Sequence, residues 1–74
     1  MAKLPILSGV QVVNAFQVLG WSIARQRGSH IILVKEGEVA SLSVPEHNEV
    51  ARGTLRSLIR QAGITVDEFA AAIS

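Results

Sequence analysis

The sequence predicts a two-layer α+β domain in the order α-β-β-β-α, closed by a short extra helix. Three observations predict it. Apolar residues of helical period follow a capping signal at Ser8. Strand-like stretches separated by glycine-bearing turns then run from Trp21 to Val44. A second helical apolar stripe begins beyond Pro45. The expected architecture is a three-stranded antiparallel sheet covered by helices on one face.

Ser8-Gly9-Val10-Gln11 fits a capping box, in which the serine hydroxyl caps an early N–H and the glutamine reaches back. Leu7 and Val12 are placed as a hydrophobic staple. Val12, Phe16 and Leu19 follow helical spacing, and Gly20 sits where a left-handed cap is expected, so the first helix covers about residues 9–19. Trp21 to Gln26 alternates, with Trp21, Ile23 and Arg25 on one side. Ser29 to Lys35 is rich in β-branched residues, and Val39 to Val44 alternates again. Arg27-Gly28 marks the first turn, and Lys35-Glu36-Gly37-Glu38 the second. Pro45 ends the meander.

Residues 46–51 read as a loop. Leu55, Leu58, Ile59 and Ala62 then form an apolar stripe that Gly63 caps. Thr65-Val66-Asp67-Glu68 is a second capping box, opening a short helix with Phe69, Ala72 and Ile73 expected to face inward. Neither repeats nor low-complexity segments interrupt the chain, and residues 1–74 read as a single domain.

The chain has 74 residues, no cysteine and 49% hydrophobic residues, which allows a packed core but no disulfide or thiolate metal site. A net charge of +1 is weak for a nucleic-acid binder, but the charges are segregated. Lys3, Arg25, Arg27 and Lys35 precede every acid. Glu36, Glu38, Glu46 and Glu49 follow, and then Arg52, Arg56 and Arg60. No apolar run approaches the roughly 18 residues of a membrane span, and the N-terminus lacks a signal-peptide core. The expected compartment is the cytoplasm. No acidic cluster for magnesium, zinc-ligand spacing or P-loop is present, so neither metal nor cofactor is expected.

His30 is the first candidate for chemistry. Histidine is the side chain that takes and gives protons near neutral pH. On a strand His30 shares a face with Ile32 and Val34, while Ile31, Leu33 and Lys35 share the other. Both faces are apolar, so alternation does not decide which is buried. The residues alone leave two readings, a surface histidine bonded to backbone or a general base or acid. Gly28 would let a nucleotide backbone approach, and Ser29 can donate to a phosphate oxygen.

Arg52, Arg56 and Arg60 recur every four residues, forming a row along the second helix. Such a row is either a solvated face or a track of phosphate contacts. Gly53 and Thr54 add exposed N–H groups at the helix start, where anions are favoured. Arg25 and Arg27 bracket the turn beside His30 and extend the basic surface. His47 is either a loop histidine capping backbone or a further phosphate contact. Phe16, Trp21 and Phe69 are the only aromatics and read as core, so base stacking is not expected.

Gly28-Ser29-His30, Val44-Pro45-Glu46-His47 and Gly53-Thr54-Leu55-Arg56 together resemble the HicA family, also catalogued as YcfA-like. These are small mRNA-cleaving toxins of bacterial toxin–antitoxin pairs. The resemblance runs from Leu4 to about Phe69. It implies a double-stranded-RNA-binding-like fold and a metal-independent endoribonuclease with His30 as catalytic residue. The implied RNA contacts are Gly28, Ser29, Arg25, Arg27, Gly53, Thr54, Arg56, Arg60 and His47. The implied partners are mRNA and a HicB-like antitoxin. The chain departs from the family at Glu46, Glu49, Val50 and Ala51, where relatives are often basic, and at the uniformly aliphatic Ile31-Ile32-Leu33-Val34. Both departures predict a weaker hold on RNA. The alternative reading is a non-catalytic RNA-binding module of the same fold, and a third is a protein-binding adaptor.

Overall fold

The structure is a computed structural model that describes residues 3–73. Its elements run α1 (Gly9–Val18), β1 (Ser22–Arg27), β2 (His30–Val34), β3 (Leu42–Pro45), α2 (Arg52–Gln61) and α3 (Val66–Ile73). The sheet is antiparallel in the order β1-β2-β3. This is the expected α+β layout.

Local capping chemistry sets where two of the helices start. The Ser8 hydroxyl accepts from the Gln11 N–H at 3.2 Å, and the Gln11 side chain accepts from the Ser8 N–H at 2.9 Å. Thr65 and Glu68 repeat the exchange at α3, at 3.0 and 2.9 Å. Each box satisfies two donors that a helix start leaves unpaired. Gly20, after α1, has φ of 99°, and Gly63, after α2, has φ of 74°, a region open to glycine at little cost.

The core lies between one sheet face and the helices. Ile31 and Leu33 of β2 and Leu42 and Val44 of β3 point into it, meeting Val12, Val13 and Phe16 of α1, Leu55, Leu58 and Ile59 of α2, and Phe69 of α3. Phe16 and Phe69 pack at 5.0 Å between ring centroids, and Trp21 lies nearly perpendicular to Phe16 at 6.3 Å. The Trp21 indole N–H is buried without a hydrogen-bond partner among the described residues.

The sheet departs from expectation in several places. β3 starts at Leu42 rather than Val39. Leu42 pairs with Leu33 and Val44 with Ile31, which buries both β3 side chains, whereas Val39 is fully exposed. The Glu38 N–H still closes a turn on the Lys35 carbonyl at 3.0 Å, but residues 39–41 extend the connection before pairing resumes. β1 is shifted one residue later than expected and is exposed along its whole length. It is an edge strand that the helices do not cover, so its alternation carries no buried face; Ile23 is 51% exposed. The first turn is Gly28-Ser29 rather than Arg27-Gly28, and β2 spans His30–Val34 within the expected stretch. In α3, Phe69 faces inward and Ala72 packs at the margin. Ile73 remains 38% exposed at the end of α3, which packs on α1 and α2.

Candidate nucleic-acid interface

The open face of the sheet decides which residues keep His30 company. Residues directly opposite across an antiparallel pair share a face. His30 pairs with Arg27 on one side and Pro45 on the other, and Ile32 pairs with Arg25 and Ser43. His30 and Val34 are exposed and Ile32 half-buried, while Ile31 and Leu33 are buried. The ambiguity of β2 is thereby settled: His30 lies on the face away from the core.

Arg25 and Arg27 reach that face because β1 carries a bulge. Ile23 pairs with Leu33, but the next paired residue is Arg25, opposite Ile32, so Ala24 is extra. An unbroken alternation would keep Arg25 on the side of Ile23. The extra residue reverses the phase and turns Arg25 and Arg27 to the side of His30. Bulges recur where a strand must re-aim a side chain. The expectation that Trp21, Ile23 and Arg25 share a side is overturned by this single inserted residue.

The turn beside His30 is tightly organised. Gly28 has φ of 58°, as a two-residue hairpin turn with glycine first requires, and no atom of the described residues beyond its chain neighbours lies within 4 Å of where its Cβ would be. The Ser29 carbonyl accepts from the Glu46 N–H at 2.6 Å. The Gln26 amide donates to the Glu46 carboxylate at 2.9 Å and to the Gly28 carbonyl at 3.2 Å. The His47 carbonyl accepts from the Gly9 N–H at 2.9 Å, and Val50 donates to Leu7 at 2.7 Å. These bonds draw the Gly28-Ser29 turn, His30, the segment 45–47 and the start of α1 to one end of the molecule. His30 and His47 are both exposed there.

Sequence reasoning missed Gln26, Glu46 and Gly9. Gly9 approaches the segment 45–47 so closely that a Cβ would meet the Pro45 carbonyl oxygen and come within 2.9 Å of the Glu46 Cα. A glycine at the first position of a helix was the available signal of such an approach. Gln26 and Glu46 gave none, since they lie 20 residues apart with β2 and β3 between them.

Gly53, Thr54, Arg56 and Arg60 are exposed on α2. Arg56 and Arg60 border a cavity of about 280 Å³ with Ile59, Ile64 and Val66, on different elements from the His30 turn. Among the described residues no three His, Asp or Glu side chains are grouped to hold a metal ion, and no helix is long and apolar enough to cross a membrane.

The family model of the HicA toxin of bacterial toxin-antitoxin systems matches residues 9–64, from the start of α1 through α2. The chain belongs to the HicA toxin family. Membership makes it a toxin of a toxin–antitoxin pair and implies a cognate antitoxin. The matched span includes the glycine-serine-histidine turn, the bulged strand and the arginine helix. No curated protein matches the chain significantly.

Proposed function

We propose that this HicA toxin is a metal-independent endoribonuclease that cleaves mRNA on the open face of its sheet, with His30 as the proton-transfer residue. The observation that carries the reading is the bulge at Ala24, which turns Arg25 and Arg27 to the face of His30. An imidazole beside two guanidinium groups can both move a proton and stabilise charge on phosphate.

The RNA supplies its own nucleophile in this mechanism. His30 removes the proton from a ribose 2′-OH, and O2′ attacks the adjacent phosphorus. Negative charge then grows on the phosphoryl oxygens, where Arg25 and Arg27 can donate charge-assisted hydrogen bonds. The bond from phosphorus to the 5′-oxygen breaks, and that oxygen takes a proton from the imidazolium or from water. The products are a 2′,3′-cyclic phosphate and a 5′-hydroxyl. Gly28 lets the backbone approach, Ser29 can donate to a phosphate oxygen, and His47 at the same end offers a further phosphate contact. Gly53, Thr54, Arg56 and Arg60 lie on another element, and the cleavage centre does not need them. The proposed antitoxin is HicB-like and the proposed compartment the cytoplasm.

The test is cleavage of a short RNA and of the same oligonucleotide with every 2′-OH replaced by hydrogen, both with chelator present. The RNA is expected to yield 2′,3′-cyclic phosphate ends and the deoxy substrate to stay intact. Cleavage of both, or of RNA only with added metal, refutes the mechanism. Binding of RNA with no cleavage by the folded protein favours the non-catalytic module.

A further inference from the structure

We infer that the groove between α2 and α3 is a docking site for an acidic, aliphatic segment of the cognate antitoxin. The inference rests on membership of a toxin–antitoxin family for the existence of the partner, and on the groove for its location and chemistry.

Arg56 and Arg60 stand one turn apart on α2, which brings their Cβ atoms to about 5–6 Å. Both are exposed, and neither forms an ion pair with another described residue. Between them and the start of α3 lies the open cavity of about 280 Å³, lined by Ile59, Ile64 and Val66. Ile59 is buried, but Ile64 and Val66 are only half-buried, so the floor keeps apolar surface in water. The nearest acids in sequence are Glu49, ahead of α2, and Asp67 and Glu68 in the first turn of α3, and none of the three lines the cavity. Glu68 there is held on the Thr65 N–H, and Asp67 also has a partner of its own. The site therefore pairs two cations with an aliphatic floor.

That combination selects its ligand. A carboxylate between Arg56 and Arg60 can accept paired N–H donors from planar guanidinium groups. A leucine or isoleucine one or two residues away can cover Ile64 and Val66, removing apolar surface from water on both sides. RNA uses the floor poorly. Its phosphates are polar throughout, and its bases stack on aromatic or guanidinium planes rather than on branched aliphatic side chains. The larger groove between α1 and α3, about 360 Å³, is lined by no charged side chain among the described residues. Charge complementarity thus favours the α2–α3 groove over the α1–α3 groove.

The experiment is a ¹H–¹⁵N titration of the full chain with three probes. One is a blocked tetrapeptide alternating glutamate and leucine. The second is its alanine counterpart, and the third is a uridine 12-mer. The leucine peptide is expected to shift the resonances of Arg56, Ile59, Arg60, Ile64 and Val66. Loss of the leucine contacts should weaken binding about tenfold in the alanine peptide. Arg56→Ala and Arg60→Ala should each weaken it by a similar factor, with spectra otherwise showing the native fold. The 12-mer should leave the groove resonances in place. Equal binding of the two peptides, unaltered binding by both variants, or groove shifts caused by the 12-mer would each overturn the assignment. RNA cleavage is measured separately, so failure of the ribonuclease reading would leave the peptide result intact, and the reverse also holds.

Discussion

Gly9→Ala is expected to destabilise the protein, although helix propensity argues for the opposite sign. Alanine is favoured over glycine within helices by up to about 1 kcal/mol, and α1 begins at Gly9. The structure sets a larger cost against this gain. The new methyl group would be driven into the Pro45 carbonyl oxygen and would sit 2.9 Å from the Glu46 Cα, both of them backbone atoms that cannot rotate aside. Overpacking of this kind costs about 1–3 kcal/mol. Displacing the segment also strains the hydrogen bond from the Gly9 N–H to the His47 carbonyl, at about 1 kcal/mol more. The net expectation is a loss of about 1–3 kcal/mol, or roughly 5–20 °C in melting temperature for a domain of this size. Thermal unfolding by circular dichroism measures it. Because the Glu46 N–H is bonded to Ser29, the amide resonances of Ser29 and His30 should shift as well. A variant that melts at or above the wild type would refute the close approach and the tie between α1 and the His30 turn.

Other substitutions test other parts of the account. Trp21→Phe removes the buried indole N–H that has no partner among the described residues, which offsets part of the lost volume, so its cost in chemical denaturation should stay within about 1 kcal/mol. Trp21→Ala should cost about 3–5 kcal/mol, and equal costs for the two would show that the N–H is satisfied in solution. Arg25→Ala and Arg27→Ala should each weaken RNA binding and reduce the slope of log affinity against log salt by about 1. Ile23→Ala, across the bulge on the other face, should leave that slope unchanged; an effect from only one of the two arginines would contradict the register.

Helix starts were the most legible part of the fold, because capping boxes act over three residues and need no tertiary partner. Ser8 with Gln11 and Thr65 with Glu68 make the bonds their spacing predicts. The apolar stripe of α2 was equally plain, since Leu55, Leu58, Ile59 and Ala62 all reach the core. Strand limits were less legible. β3 begins where Leu42 meets Leu33, a pairing no local signal fixes, and the alternation from Val39 onward gave the same period without the partner.

The candidate site was half legible. Gly28 announces the turn next to His30 because a two-residue turn with positive φ calls for glycine. The company His30 keeps was hidden, since Ala24 looks like any strand residue and only cross-strand pairing shows it to be extra. The aliphatic floor beside Arg56 and Arg60 was hidden for a similar reason. Nothing local in Ile64 or Val66 shows how far α3 covers them, and the packing leaves both half-buried.

The most direct test of the central claim is induced expression of the wild type and of His30→Ala in a bacterial host, with growth and intact mRNA followed together. His30 is exposed, so alanine there should preserve the fold, which circular dichroism of the purified variant confirms or denies. The account predicts that the wild type arrests growth and depletes mRNA while the folded variant does neither. Arrest and mRNA loss by both proteins would contradict it, and would move the catalytic role away from His30.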